Sequence, residues 1–387
     1  MSLIRSLVPD GERVSSRLHG GSAGTIETMS GRPSVLVAMS GGVDSSVAAC
    51  LLHERGYRVL GSHLELVDTE GVEHGCCGPQ AAADAAAVAE KAGFDFEVVD
   101  MGAAFRRTVL ADFFGEHRAG RTPNPCIRCN QHVKFGAFIE RADALGIDLV
   151  ATGHYVRTSR DERGRWHLGR GRDRSKDQSY VLHVLGQTQL ARAVFPVGDQ
   201  TKAETRAHAV RLGLAVAGKP DSQEVCFVPG ADHAAFLERH APDLVRAGAV
   251  VDAASGETLG QHRGTFRYTI GQRRGLGVST GERSYVVDLD PSSNRVVIGP
   301  AELLERSGLV ADRFGWVAGE APPGPFEATV RVRYQGGDVP ATVSPVDADG
   351  VRIAFHEPQR AIAPGQSAVV DRGDEVLGGG RIVEAIL

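Results

Sequence analysis

Three cysteines in two short segments are the residues of this sequence whose type and spacing could most clearly carry chemistry. Cys126 and Cys129 lie three residues apart in TPNPCIRCN, residues 122–130, where two prolines restrict the backbone. Cys226 lies in DSQEVCFVPG, residues 221–230. A pair spaced like the first could be half of a zinc site, a redox pair, two ligands of an iron–sulfur cluster, or a nucleophile with a neighbouring thiol.

A second candidate is the glycine-containing segment AMSGGVDSS, residues 38–46, which directly follows the apolar run PSVLVAM, residues 33–39. Small residues let backbone N–H groups close around phosphate oxygens, and a helix that begins near Asp44 would point its positive end at the same place. The segment is neither a Walker A loop nor a G-x-G-x-x-G turn. We expect a phosphate-binding loop, with Gly42 in the left-handed region of φ that favours glycine.

The elements that would position these residues alternate between strand and helix. Apolar runs predict strands at residues 33–39, 57–66, 96–101 and 147–154, and helical spacing predicts helices at 46–56, 81–93 and 133–146. This alternation predicts an α/β domain over residues 34–224, with a doubly wound, mainly parallel sheet. Ligands bind in such domains at the carboxyl ends of the strands, where the glycine-containing segment falls.

The pattern changes after about residue 225, where short β-like segments are separated by glycine and proline. We expect a small central domain at residues 225–290 and a C-terminal β-barrel-like domain at 291–387. Residues 1–33 are rich in Ser and Gly and are expected to form a disordered N-terminal tail.

Composition limits the function classes. The 387 residues are 42% hydrophobic and 24% charged, which is typical of a soluble globular protein, and no apolar run approaches the roughly 20 residues of a membrane helix. Six cysteines without a signal peptide predict a reducing compartment, the cytoplasm. With a net charge of −5, binding to nucleic acid would need a local basic patch, for which residues 163–176 and 261–277 are candidates.

The S-G-G-x-D-S pattern after the first strand resembles the PP-loop of the ATP pyrophosphatases, which hold the β- and γ-phosphates of ATP and release pyrophosphate on adenylation. The resemblance implies ATP and Mg²⁺ as cofactors, with Asp44 as the one metal ligand that can be named. The implied ATP-binding residues are Ala38, Met39, Ser40, Gly41, Gly42, Val43, Asp44, Ser45, Leu64 and Gly153.

Further motifs, in order along the chain from about residue 33, resemble the tRNA-specific 2-thiouridylases. Besides the loop and the cysteine segments they are GHY (153–155), SKDQSY (175–180), FPVGD (195–199), GQRRGLG (271–277), RVRYQ (331–335) and PGQSAV (364–369). The resemblance implies an adenine nucleotide alpha-hydrolase-like first domain. It also implies that sulfur replaces the 2-oxo group of the wobble uridine in tRNAs with Lys, Glu and Gln type anticodons.

The same resemblance implies roles for the cysteines. Cys226 would carry sulfur as a persulfide from a persulfide or sulfide donor system, and Cys129 would be the nucleophile that resolves it through a transient disulfide. Cys126 departs from the Asp that many members carry, so an alternative is a 4Fe–4S cluster held by Cys126, Cys129 and Cys226. A structural zinc site would need a fourth ligand. We favour the persulfide scheme, because Cys129 and Cys226 match the catalytic pair.

The resemblance also implies the residues that meet the nucleic acid. Those against the flipped-out target base are Asn124, Pro125 and Cys126, and those that contact tRNA elsewhere are Lys176, Asp177, Gln178, Arg333 and Tyr334. We expect His154 to be a structural hydrogen-bonding residue, Cys50 to lie in the core, and Cys76 and Cys77 to lie at a helix entry.

Two rival functions stay open. A PP-loop amide synthetase acting on a small molecule would explain the loop but not the cysteine segments. A non-catalytic tRNA-binding or sulfur-carrier protein would not need the intact S-G-G-V-D-S sequence.

Overall fold

The computed structural model describes residues 32–66, 78–221, 225–228, 230, 232–278 and 281–387. Its first sheet has five parallel strands in the order β3-β2-β1-β4-β7. The strands are β1 (Ser34–Ala38), β2 (Arg58–Glu65), β3 (Asp95–Asp100), β4 (Leu149–Ala151) and β7 (Ala193–Val194). The predicted α/β domain with a doubly wound parallel sheet is confirmed, and β7 is a strand that the sequence did not predict.

Helices and single turns connect these strands. The α-helices are α1 (Val43–Glu54), α2 (Pro79–Ala92), α3 (Gly102–Phe105), α4 (Ala111–Arg118), α5 (Pro125–Arg128), α6 (Phe138–Ala144), α7 (Ser179–Leu182), α8 (Gln187–Leu190), α9 (Lys202–Arg211) and α10 (His233–His240). Two π-helical segments, Arg106–Leu110 and Cys129–Ala137, continue α3 and α5. Short 3₁₀ turns are Ala215–Gly218, Pro242–Leu244, Thr265–Arg267 and Ala301–Leu304.

The central strand β1 explains why the apolar pattern was readable. Val35, Leu36 and Val37 are completely buried, as expected where helices cover both faces of a parallel sheet. Because β1 pairs with β2 on one side and β4 on the other, its carboxyl end opens at the middle of the sheet edge. This is the position at which α/β sheets bind ligands.

The central part of the chain forms a four-stranded sheet in the order β10-β11-β8-β9. Its strands are β8 (Gly248–Asp252), β9 (Thr258–His262), β10 (Tyr285–Asp290) and β11 (Arg295–Gly299). Val250, Val286, Val296 and Ile298 are fully buried in a core of its own.

The C-terminal part is a six-stranded antiparallel barrel that closes through pairing of its first and last strands. Its strands are β12 (Glu305–Trp316), β13 (Phe326–Arg331), β14 (Val339–Pro345), β15 (Val351–Arg360), β16 (Ser367–Arg372) and β17 (Glu375–Ile386). A hairpin from the first half of the chain, β5 (Val156–Arg160) and β6 (Trp166–Arg170), extends this sheet through β17. The barrel is therefore joined to the α/β domain by backbone pairing.

Candidate active site

The predicted phosphate loop lies between β1 and α1, and its own side chains hold it closed. The Ser40 backbone N–H donates to Ser45 Oγ at 3.1 Å, and the two hydroxyl groups lie 3.2 Å apart. Ser45 Oγ donates to the Gly42 carbonyl at 3.4 Å. Ser45 and Ser46 are buried while Ser40 is exposed, so the loop presents backbone at its outer side.

The two loop glycines, Gly41 and Gly42, differ in backbone conformation. Gly41 has φ +66°, and a Cβ there would lie 2.2 Å from the Ala81 carbonyl oxygen. Gly42, the N-cap of α1, has φ −94° and ψ 170°, which any residue adopts. The expectation that Gly42 has positive φ is therefore wrong. The sharp turn falls one residue earlier because α1 begins at Val43, directly after its cap.

Gly153 follows β4 and packs against the start of α1. A Cβ on Gly153 would lie 2.6 Å from the Ser45 backbone nitrogen and 2.7 Å from the Asp44 carbonyl carbon. Here the close approach that requires glycine is to the loop backbone. The other predicted nucleotide residues outside the turn, Met39 and Leu64, are buried at the carboxyl ends of β1 and β2.

Lys202 is a loop partner that sequence reasoning missed. Its Nζ lies 2.7 and 2.8 Å from the two carboxylate oxygens of Asp44. The buried Tyr155 hydroxyl donates to the same carboxylate at 2.8 Å, and burial together with the Asp44 charge raises the pKa of Tyr155, so it remains a donor. Asp44 is thus held in place by one cation and one hydroxyl group.

Lys219 is the second missed loop partner. Its Nζ donates to the Gly41 carbonyl at 3.0 Å and to Asp84 on α2 at 2.8 Å. Two ammonium groups therefore flank the loop, which suits a polyphosphate. The sequence held a partial signal for the first of them, because Thr201-x-x-Glu204 is a capping box that places Lys202 at a helix N-terminus.

The helix that carries Cys126 and Cys129 is set by its first two residues. The Asn124 side chain accepts from the Cys126 backbone N–H at 3.1 Å as the N-cap, and Pro125 occupies the first helical position, where its missing N–H costs nothing. Cys126 is exposed, whereas Cys129, at the start of the π-helical segment, is buried. The two thiols of this pair therefore face different environments.

Cys129 and Cys226 both belong to one large apolar cluster, although they lie 97 positions apart in sequence. Cys129 is 6% exposed within the cluster, and the half-buried Cys226 packs against it. The next residue, Phe227, has ring contacts at 5.3 Å with Phe105, 5.5 Å with Phe113 and 5.4 Å with Phe236. Aromatic packing thus fixes the backbone beside Cys226.

The iron–sulfur alternative finds no support among the described residues. Across the ranges that the structure describes, no three His, Cys, Asp or Glu side chains are grouped as metal ligands, and this includes Cys126, Cys129 and Cys226. For Mg²⁺, the Asp44 carboxylate could supply the single protein ligand that nucleotide-bound Mg²⁺ commonly takes.

Cys50 and His154 are both buried in the α/β domain. Cys50 is buried on α1, and burial raises the pKa of its thiol to about 11, so it is a core residue as predicted. Cys76 and Cys77 lie outside the described residues. Burial holds the pKa of His154 well below its usual value, and its Nδ1 lies 2.8 Å from Thr152 Oγ1. His154 is therefore a neutral, hydrogen-bonded residue in this structure.

The residues predicted to contact tRNA divide into two kinds. Lys176 pairs with Asp221 at 2.8 Å. The Asp177 carboxylate accepts a hydrogen bond from the Ser179 hydroxyl at 2.7 Å and pairs with Arg331 at 3.2 Å. The side-chain amide oxygen of Gln178 accepts from the Tyr155 backbone N–H at 3.0 Å. Lys176, Asp177 and Gln178 are therefore all engaged in contacts within the protein that hold residues 176–178 in place.

Arg333 and Tyr334, by contrast, are exposed at the rim of the barrel. The Tyr334 ring lies 6.1 Å from that of Tyr180. Burial, followed by negative charge at Asp177 and Cys126, raises the pKa of Tyr334, which places its hydroxyl group within electrostatic reach of Cys126. The barrel therefore contributes to the surface around the exposed cysteine.

A cavity of about 290 Å³ lies between α5 and the barrel. On the helix side its lining includes Asn124, Ile127 and Arg128, a different face of the helix from Cys126. On the barrel side it includes Arg313 and Arg381. Arg313 pairs with Asp112 at 3.2 Å, and Arg381 pairs with Glu116 and Asp312, so ion pairs join the two parts here.

The two basic segments differ in how their charge is used. Five cations of residues 163–176 pair with carboxylates, namely Arg165 with Glu320, Arg170 with Asp338 and Asp371, Arg172 with Glu204, Arg174 with Asp374, and Lys176 with Asp221. In residues 261–277, Arg267 pairs with Glu238, while Arg263, Arg273 and Arg274 are exposed. The second segment thus presents the more accessible cations.

Comparison with known proteins follows this division of the chain. Residues 33–230 match a family described as a tRNA methyl transferase HUP domain, residues 234–300 a tRNA methyl transferase PRC-barrel domain, and residues 306–382 an aminomethyltransferase beta-barrel domain. The expected fold class of an α/β domain followed by a central domain and a β-barrel domain is confirmed.

Curated relatives of this chain carry the name tRNA-specific 2-thiouridylase MnmA. The protein of Symbiobacterium thermophilum is 47% identical, covering 92% of this chain and 94% of its own. That of Heliobacterium modesticaldum is 48% identical over 91% and 93%, and that of Geobacter metallireducens 47% over 93% and 99%. None of the helices in the described part of the chain is long and apolar enough to cross a membrane. With this likeness over nearly its whole length, the chain belongs to the family of the tRNA-specific 2-thiouridylases.

Proposed function

We propose that this protein is a tRNA-uridine 2-sulfurtransferase, which uses ATP to replace the 2-oxo group of the wobble uridine with sulfur. The substrates would be tRNAs with Lys, Glu and Gln type anticodons. The observation that carries the proposal is that Cys129 and Cys226, distant in sequence, belong to one apolar cluster. A small-molecule amide synthetase would have no use for such a pair.

The first step would make the uridine O2 a leaving group. O2 attacks the α-phosphorus of ATP as N3 loses its proton, which it regains when 2-thiouridine is released; the bond to the β-phosphate oxygen breaks, and pyrophosphate departs. Lys202 and Lys219 flank the loop and could balance charge that develops on the departing phosphates. Asp44, held by Lys202 and Tyr155, could serve as the carboxylate ligand of Mg²⁺.

The second step would deliver sulfur. The terminal sulfur of a Cys226 persulfide attacks C2 of the adenylated uridine, and AMP leaves. The Cys129 thiolate then attacks the Cys226 sulfur, the bond to the transferred sulfur breaks, and 2-thiouridine and a Cys129–Cys226 disulfide remain. Two electrons from an external thiol reopen the disulfide, so we place the reaction in a reducing compartment, the cytoplasm.

The direct test is mass spectrometry of the nucleosides from unmodified tRNA incubated with the protein, ATP, Mg²⁺ and a persulfide or sulfide donor. We expect 2-thiouridine that depends on both ATP and the donor. ATP–pyrophosphate exchange driven by a carboxylic acid or an amino acid without tRNA would instead establish the amide synthetase. Binding of tRNA without any consumption of ATP would establish a non-catalytic binding protein.

Salt dependence tests which cations meet the tRNA. The logarithm of the binding constant should fall with the logarithm of salt concentration by about 0.7–0.9 per phosphate contact. Replacement of Arg273 and Arg274 by Gln should flatten this slope. Replacement of Arg172 and Arg174, which are paired with Glu204 and Asp374, should flatten it less. The opposite order would assign the contact to residues 163–176.

A further inference from the structure

Asp221 joins three cations that belong to different parts of the site. Its carboxylate lies 2.8 Å from Lys176 Nζ, 2.8 Å from Lys202 Nζ and 3.0 Å from a guanidinium nitrogen of Arg206. Lys202 is at the same time bound to Asp44 of the phosphate loop. One carboxylate therefore links a residue of the predicted tRNA-contacting segment to the predicted ATP site.

Residues 217–221, which we call the strap, are fixed to α9 by Arg206. The Arg206 guanidinium donates to the carbonyl oxygens of Ala217 at 2.9 Å and Lys219 at 3.1 Å. From the strap, Lys219 reaches the Gly41 carbonyl in the phosphate loop. Asp221 therefore lies on the strap, whose backbone is bonded to Arg206 and whose Lys219 is bonded to the phosphate loop.

The strap also leads directly to the sulfur-carrying segment, since Cys226 follows Asp221 by five residues. Asp221 therefore contacts both the predicted tRNA-contacting segment and the predicted ATP site, and it lies five residues before Cys226 in the sequence.

The charges around Asp221 are unequal. Burial opposes ionisation, but hydrogen bonds from Lys176 and Lys202 lower the pKa of Asp221 to about 2, so the group is a carboxylate at neutral pH. The Lys176 side chain is 34% exposed, whereas that of Lys202 is 12% exposed. Lys176 is therefore the cation that an incoming phosphate can draw away, while Lys202 stays inside.

We propose that Asp221 is a positioning residue that couples tRNA binding at Lys176 to the placement of Lys202 beside Asp44. When a tRNA phosphate takes Lys176, Asp221 is left with Lys202 and Arg206 and attracts Lys202 more strongly. The hold of Lys202 on Asp44 weakens, and the Asp44 carboxylate becomes available to the metal of bound ATP. By linkage, tRNA then tightens ATP binding, and ATP tightens tRNA binding by the same factor.

This inference rests on the proposed function, but its test does not require turnover. The dissociation constant of a non-hydrolysable ATP analogue with Mg²⁺ is measured with and without tRNA, using the intact protein. For the wild type we expect tRNA to lower the constant by about tenfold, within the usual range of coupling between sites. For Asp221→Asn we expect both ligands to bind and the factor to fall to about one.

Lys176→Met provides a second variant that removes only the exposed end of the link. It should abolish the coupling, because without tRNA the variant should already bind the analogue about as tightly as the wild type does with tRNA. Arg211→Met is the control, because Arg211 lies on α9 with Lys202 and Arg206 but pairs with Glu54, which does not contact Asp221. This variant should keep the coupling at the wild-type value. Thermal unfolding of each variant identifies a loss of fold.

A coupling factor retained in both Asp221→Asn and Lys176→Met would overturn the proposal. So would a wild type that makes 2-thiouridine while ATP and tRNA bind independently, which leaves the proposed function intact. Coupled binding with no thiolation would reverse the outcome, because the link would then stand while the proposed chemistry failed.

Discussion

The nucleotide region and the sulfur region of this protein are held together by opposite physical means. Around residues 40–45 the contacts are ionic or involve backbone groups, and Lys202 and Lys219 lie at the loop itself. Around Cys129 and Cys226 the contacts are apolar, with Phe227 packed edge-on against three other phenylalanine rings. Ion pairs dominate the first region, and apolar packing dominates the second.

This difference matches the chemistry that each region would support. A departing polyphosphate needs positive charge that is already in place, because reorienting it during the reaction would cost energy. A persulfide needs protection from water and from competing thiols, and an apolar surrounding gives both. A substitution in one region should therefore impair one step of the reaction and leave the other step intact.

The largest effect is expected from Cys226→Ser, which removes the sulfur carrier and leaves the nucleotide region untouched. Formation of 2-thiouridine should stop, since a hydroxyl group cannot carry sulfane sulfur, while tRNA-dependent release of pyrophosphate continues. Mass spectrometry and a pyrophosphate assay measure the two steps. Cys50→Ala, which removes a buried core thiol, is the control and should retain thiolation.

Lys202→Met tests the nucleotide region alone. Loss of the cation beside Asp44 should slow adenylation by about 10²–10³, the usual cost of removing a preorganised electrostatic contact. Loading of Cys226 with persulfide should be unaffected, which a mass measurement of the protein would show. If adenylation stayed normal and only sulfur loading failed, the separation of the two regions would be wrong.

A smaller effect is expected from Phe227→Leu, which keeps an apolar side chain but removes its ring contacts. We expect a loss of about 1.5–4.5 kcal/mol in the free energy of unfolding, because each of the three ring pairs contributes about 0.5–1.5 kcal/mol. Thiolation should slow several-fold as Cys226 loses its support, while the affinity for ATP remains. Val210→Leu, at an exposed position on α9, is a matched control.

The smallest effect is a difference in response to acid. His117 packs edge-on against Phe113 at 4.7 Å, and burial, followed by repulsion from His233, lowers the pKa of His117 from 6.5 to about 4. Between pH 6.5 and about 4, the unfolded chain therefore binds a proton at His117 that the folded protein does not bind. The contribution of His117 to stability is fully present above pH 6.5 and is lost as the pH falls towards 4.

Denaturant unfolding of the wild type and of His117→Gln between pH 7 and pH 4 measures this contribution. The variant should lose part of the acid sensitivity. Asp221 in the nucleotide region, with a pKa of about 2, should remain ionised over the same range, so its ion pairs should persist. An identical pH dependence for both proteins would remove His117 from the explanation.

The phosphate loop and its sheet could be predicted from sequence because their signals are local. Val35, Leu36 and Val37 form an uninterrupted apolar run, and the loop follows within a few residues. Even there, the assignment of the left-handed turn to Gly42 instead of Gly41 was wrong, because it depends on the residue at which α1 begins.

The partners of the loop could not be predicted in the same way. Lys202 reaches Asp44 across 158 residues of sequence, and Lys219 reaches Gly41 across 178. Neither lysine has a sequence pattern that specifies its target, since an ammonium group can pair with any nearby carboxylate or carbonyl. Similarly, the basic character of residues 163–176 did not reveal that carboxylates from five other segments pair with most of its cations.

The α/β architecture, the loop and the candidate cysteines are readable from the amino-acid sequence, because they depend on residue type and on periodicity over short stretches. The folded chain was needed to show that Cys129 and Cys226 share one apolar cluster, that the hairpin β5–β6 extends the barrel sheet, and that Asp221 links Lys176 to Lys202. These contacts join distant parts of the chain, and packing of the whole fold, not any local preference, brings them together.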